Sequence, residues 1–112
     1  MKKLLCAVIM SVVAAPAFSA GAIYSADIEF VRVDKSGMGY VGFATAIGGT
    51  PPGCVQAPFT KVLGFNTNEA GGKSVLALAL AAKAAGRKVQ AFGTGTCTAF
   101  NVLEDWDYGM VF

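Results

Sequence analysis

Hydrophobic and polar positions along this chain fall into short runs separated by glycine- and proline-rich breaks, with one stretch that follows a different rule. "DIEFVRVD" over 27–34 is rich in β-branched and aromatic residues and predicts a strand. "DKSG" at 34–37 is turn chemistry, and "YVGFATAI" over 40–47 predicts a second strand. There Val41, Phe43 and Ile47, with Thr45 among them, alternate onto one face that reads as core. Tyr40, Gly42, Ala44 and Ala46 share the other, where small residues beside one tyrosine leave room for a close approach to the backbone. "GGTPPG" at 48–53 is unsuited to a strand interior and predicts a loop leading to Cys54. "TKVLGFN" over 60–66 and "RKVQAFG" over 87–93 predict two more strands. "TGTCTAFNVLED" reads as a long loop, and "WDYGMVF" as a closing strand with Trp106, Tyr108, Met110 and Phe112 on one face.

The exception lies between the third and fourth strands. "AGGKSVLALALAAKAAGRKV" over 70–89 is helix-forming, with Asn68 or Thr67 as its expected cap, Glu69 near its start and Gly86 at its end. Its Gly-Gly-Lys-Ser is not a phosphate-binding loop, because the first glycine such a loop needs would fall at position 67, which is Thr67. From Val75 to Ala85 the only polar residue is Lys83. A helix apolar nearly all round asks for cover on more than one side. A second copy packing through Val75, Leu78, Ala79 and Ala82 is therefore expected. The order strand-strand-strand-helix-strand-strand predicts a mainly β, α+β domain: a small five-stranded OB-like barrel.

The N-terminus changes what counts as the folded chain. Lys2 and Lys3, an apolar run over 4–15 and the small residues of "PAFSA" at 16–20 form the three-part layout of a secretory leader. The cut is expected between Ser19 and Ala22, leaving residues 21–112 as a single domain, secreted or periplasmic. The run is too short to span a bilayer, which needs about 20 apolar residues. Without Lys2 and Lys3 the formal charge of +2 disappears, and seven basic residues balance seven acidic ones. A neutral chain lacks the electrostatic footprint of a nucleic-acid binder. Of three cysteines, Cys6 leaves with the leader, and Cys54 and Cys97 remain as an expected disulfide in an oxidising compartment.

Candidate chemistry is sparse. The chain has no histidine, so the commonest general base and metal ligand is missing. No cofactor motif or metal-ligand spacing is present, and an enzyme is not expected. The acidic group Glu104, Asp105 and Asp107 around Trp106 offers carboxylates for hydrolysis, but reads more simply as solvation at the entry to the last strand. "GTGTC" at 93–97 follows the helix rather than opening one, so its glycines serve a turn into the disulfide.

Taken together, the leader, the small barrel, one disulfide and a helix leaving through "AAKAAGRKV" resemble the binding subunits of bacterial AB-type toxins. The blocks "VRVDKSGMGYVGF", "GTGTC" and "EDWDYG" are similar to a group of small secreted bacterial proteins of uncharacterised function. The toxin resemblance implies pentameric rings, helices lining a central pore and glycan ligands, although no glycan-contacting residue of those subunits maps onto this sequence. The expectation is a non-catalytic binding module, homo-oligomeric, with a glycan or protein ligand. Tyr40 and Trp106 are candidates for stacking, although Trp106 reads more simply as a core anchor, and Thr94, Thr96, Asn101, Glu104 and Asp105 are candidates for hydrogen bonds to hydroxyls. The alternative is a periplasmic or surface protein-interaction factor, an inhibitor or assembly component, using the helix face.

Overall fold

The computed structural model describes residues 20–112, so the expected leader lies outside the described residues except for Ala20. Seven strands and one helix follow one another as β1 (Gly21–Ala26), β2 (Ile28–Val33), β3 (Met38–Phe43), β4 (Gly48–Gly49), β5 (Val62–Asn66), α1 (Ala70–Ala85), β6 (Val89–Gly93) and β7 (Trp106–Val111). They form two antiparallel sheets, of order β4-β1-β6-β7 and β2-β3-β5. The chain is thus mostly β with one helix, an α+β arrangement.

The five expected strands become seven for local reasons. The run expected over 27–34 is β2, and Asp27 is the single residue separating it from β1, which was not expected. β1 is hidden in the sequence because "GAIYSA" is small and continues the composition of the leader. The predicted 48–53 loop also contains a strand: Gly48 and Gly49 pair with Ala22 and Gly21. β3 stops at Phe43, short of the expected Ile47.

Alternation places the core as expected within β3, where Val41 and Phe43 are fully buried. They meet Ile23, Leu63, Phe65, Val89 and Ala91 from the other strands. The helix closes this core with its small residues. Ala79 and Ala82 are buried, while Val75 and Leu78 are half-buried against the core. These four residues, expected to meet a second copy, are instead the inner face of α1. Alanines there let the helix settle close to β2, β5 and β7. Its solvent face carries Ala77, Leu80, Ala81 and Ala84, with Leu80 half exposed.

The start of the helix also differs from expectation. Glu69 is the N-cap residue and makes no side-chain capping bond. Thr67 and Asn68 are occupied elsewhere, donating from their side chains to the carbonyls of Gly37 and Ser36 across the β2–β3 turn. Gly86 ends the helix in the left-handed conformation, as expected of a C-terminal glycine.

Cys54 and Cys97 are bonded, with Cα atoms 6.3 Å apart. The bond ties the 50–61 loop to the loop preceding β7. At a sequence separation of 43 it stabilises the fold by about 4 kcal/mol on the chain-entropy model. Among the described residues no helix is long and apolar enough to cross a membrane.

Candidate functional site

The segment from Thr94 to Asp107, made of the β6–β7 loop and the first two residues of β7, carries most of the candidate residues. A cleft of about 360 Å³ opens between this segment, the end of β5 and the first turn of α1. Thr94, Thr96, Thr98, Asp105, Trp106 and Asp107 line one side, and Asn66, Glu69, Gly71 and Gly72 line the other. Four of the seven expected ligand residues, Thr94, Thr96, Asp105 and Trp106, are therefore brought together. Tyr40, Asn101 and Glu104 are not among the lining residues.

Two acidic residues expected to face solvent are built into the fold. Glu104 is completely buried, and its carboxylate accepts from the backbone N–H of Gly21 at 3.1 and 3.0 Å and of Gly95 at 2.9 Å. A β-carbon at Gly21 or Gly93 would collide with that carboxylate, so both glycines make its space. Asp105, only 8% exposed, gathers the 96–99 turn. It accepts from Thr98 N–H at 2.8 Å, Ala99 N–H at 2.9 Å and the hydroxyls of Thr96 and Thr98. Neither carboxylate solvates the strand entry, and neither is free for a ligand. A buried carboxylate left without donors is costly, so both are held by backbone N–H groups, Glu104 by those of the β1 start and the 94–99 loop and Asp105 by that loop alone.

Trp106 is mainly a core residue, stacked on Phe43 with centroids 6.0 Å apart. Its expected face-sharing with Tyr108, Met110 and Phe112 does not occur. Trp106 pairs with Gly93 and Tyr108 with Phe92, so Asp107 is an extra residue that turns Trp106 inward. Tyr108, Met110 and Phe112 are exposed. Only the rim of the indole reaches the cleft.

Tyr40 lies on the outer face of β3 at the centre of an aromatic cluster. Phe30, Phe59 and Phe100 meet its ring edge-on at 5.9, 6.4 and 5.6 Å. The close approach expected at Gly42 is made by the Phe30 ring, which a β-carbon there would strike. Arg32 lies over Tyr40 at 5.0 Å, donates to its hydroxyl at 2.7 Å and pairs with Asp34 at 2.7 Å. Its pKa is raised, first by the hydrogen bond to Asp34 and then by that to Tyr40. Asn101 is exposed beyond the cluster.

Glu69, Asn66, Thr98 and Asp107 line the cleft but were not read as ligand candidates. Glu69 had been assigned to helix initiation. Its polar company only becomes visible once β7 lies beside β5, where Gly64 and Asp105 form a parallel bridge. Comparison with protein-family models, curated proteins and solved structures gave no match.

Proposed function

We propose that the chain is a secreted, non-catalytic binding module that takes carbohydrate in the cleft between β5, β7 and the first turn of α1. The observation that carries this reading is the polar lining. Threonine hydroxyls at 94, 96 and 98 stand with the exposed carboxylates of Glu69 and Asp107 beside the rim of Trp106. Sugars present hydroxyls that donate to carboxylates and exchange bonds with threonines, while an aromatic edge covers their apolar patches. The balanced formal charge beyond Lys2 and Lys3 favours such a neutral ligand over nucleic acid.

An OB-like barrel is the finer reading of the fold. β1 and β2 act as one strand bent at Asp27, and the parallel bridge between Gly64 and Asp105 joins the two sheets at a seam. On this reading, with the two-residue β4 set aside, the seven strands reduce to five barrel strands, with the cleft at the seam. The disulfide and the leader-like N-terminus support an oxidising, extracytoplasmic location. Relationship to toxin binding subunits, including a ring of copies, belongs to the same proposal.

The test is a glycan screen of the oxidised protein, followed by titration of the best ligand against Glu69→Gln and Asp107→Asn. Each variant is expected to weaken binding by about tenfold or more, since a hydrogen bond to a charged group contributes about 1.5–3 kcal/mol. A protein that retains no glycan overturns the reading. The second reading, a protein-interaction factor, rests on Leu80, half exposed among Ala77, Ala81 and Ala84. It predicts that Leu80→Lys abolishes assembly seen by native mass spectrometry while leaving glycan binding intact.

A further inference from the structure

Glu104 has a second consequence, unrelated to the cleft. It is completely buried, and among the described residues every hydrogen bond its carboxylate accepts comes from a backbone N–H. Among the described residues the ion pairs are Arg32–Asp34 and Lys88–Asp27, and neither reaches it. A carboxylate withdrawn from water without a cation is strongly disfavoured. The donor that reaches both of its oxygens is the nitrogen of Gly21, at 3.1 and 3.0 Å, whereas Gly95 N–H reaches Oε2 alone. As a peptide nitrogen, Gly21 N carries one hydrogen divided between two acceptors. As a chain terminus it would carry three, with a positive charge.

We propose that the mature chain begins at Gly21 and that its α-ammonium is the counter-ion of Glu104, so that removal of the leader completes the fold. This rests on the secretion reading above. Water hydrolyses the Ala20–Gly21 peptide bond: its oxygen stays on the Ala20 carbonyl as a carboxylate, and the freed Gly21 amine takes up a proton. The site is shaped for this terminus, because any side chain at position 21 would strike Ile47 and Glu104. Gly21 also starts β1, opposite Gly49. A cut after Ala22 would remove this strand start and the donor to Glu104 together. A cut after Ser19 would leave Gly21 a neutral amide. The geometry selects the bond between them even though Phe18, three residues before it, is bulkier than leader cleavage prefers. Among the described residues the hydrogen bond lost is that from Thr50 N–H to the Ala20 carbonyl, and Thr50 is exposed, so that water replaces it.

The experiment is to express the full chain in a secreting bacterium, recover the exported protein and determine its intact mass and N-terminal sequence. The native and urea-unfolded forms are then labelled with an amine reagent selective for α-amines. The expected result is a start at Gly21 whose amine reacts more than about tenfold more slowly in the native protein, as for a group freed only by unfolding. Glu104→Gln is expected to lose that protection; should it fail to fold, the native-to-unfolded ratio of the parent protein decides alone. A start at Ala20 or Ile23 leaves secretion standing and overturns the pairing. A Gly21 amine that labels equally fast in both forms overturns it too. A chain exported with its leader intact, or not exported, removes the secretion reading itself.

Discussion

Glu104 and Asp105 on one side of Trp106, and Asp107 on the other, are carboxylates within four consecutive residues that occupy opposite environments. The first two lie inside and hold backbone: Glu104 collects N–H groups from Gly21 and Gly95, Asp105 those of Thr98 and Ala99. Asp107 is exposed at the rim of the cleft, with Glu69 also exposed among its lining residues. The difference is one of available donors. At the start of β1 and in the 94–99 loop, backbone N–H groups point inward away from water, and a buried carboxylate satisfies them. At the rim water does that work. The inner pair should therefore govern stability and the outer pair ligand affinity.

The comparison breaks first at Glu104 if it is wrong. Glu104→Ala removes the acceptor of two N–H groups at about 1–3 kcal/mol each and leaves a buried void. A loss of roughly 5 kcal/mol is expected, read from urea unfolding. A loss under about 1 kcal/mol would mean that Glu104 is no anchor. Next in size comes the disulfide. Replacing Cys54 and Cys97 by serine should cost about 4 kcal/mol, because the bond constrains the unfolded chain as well as the 94–99 loop. Asp105→Ala follows at roughly 3 kcal/mol, since its donors sit closer to solvent and water takes over part of their bonding. Asp105 and Cys97 restrain the same turn. The combined variant should accordingly depart from additivity, by about 0.5–3 kcal/mol as for other residues in contact.

Much of this division could not be read from the chain. β2, β3, β5, β6 and β7 were legible because strand composition and bounding turns are local, and the helix end because Gly86 is a local signal. The disulfide followed from cysteine count and compartment. Glu104 was read as a solvated residue because its burial depends on Gly21, 83 positions away, and on glycines at 21 and 93 that leave it space. Trp106 was legible as a core anchor, but its expected face-sharing with Tyr108, Met110 and Phe112 fails because one inserted residue, Asp107, reverses the alternation of β7. The helix face expected to meet a partner proved to be the inner one, since alanine serves close packing against the sheets as readily as contact with another chain. The cleft itself needs β5, α1 and the 94–107 segment side by side, and no motif in any one of them announces it.

The smallest expected effect on stability is the sharpest test of the outer pair. Glu69 makes no side-chain capping bond, and neither it nor Asp107 is buried. Glu69→Gln and Asp107→Asn keep the size of each side chain and remove only its charge. Both should unfold within about 0.5 kcal/mol of the parent protein, as surface substitutions ordinarily do. If Asp107→Asn instead destabilises by more than about 1 kcal/mol, the extra residue that turns Trp106 inward depends on that carboxylate. Asp107 would then belong with Glu104 and Asp105 as an anchor. If stability is unchanged while glycan affinity falls, the boundary between holding the fold and meeting a ligand runs through Trp106, with its buried face on Phe43 and its rim in the cleft.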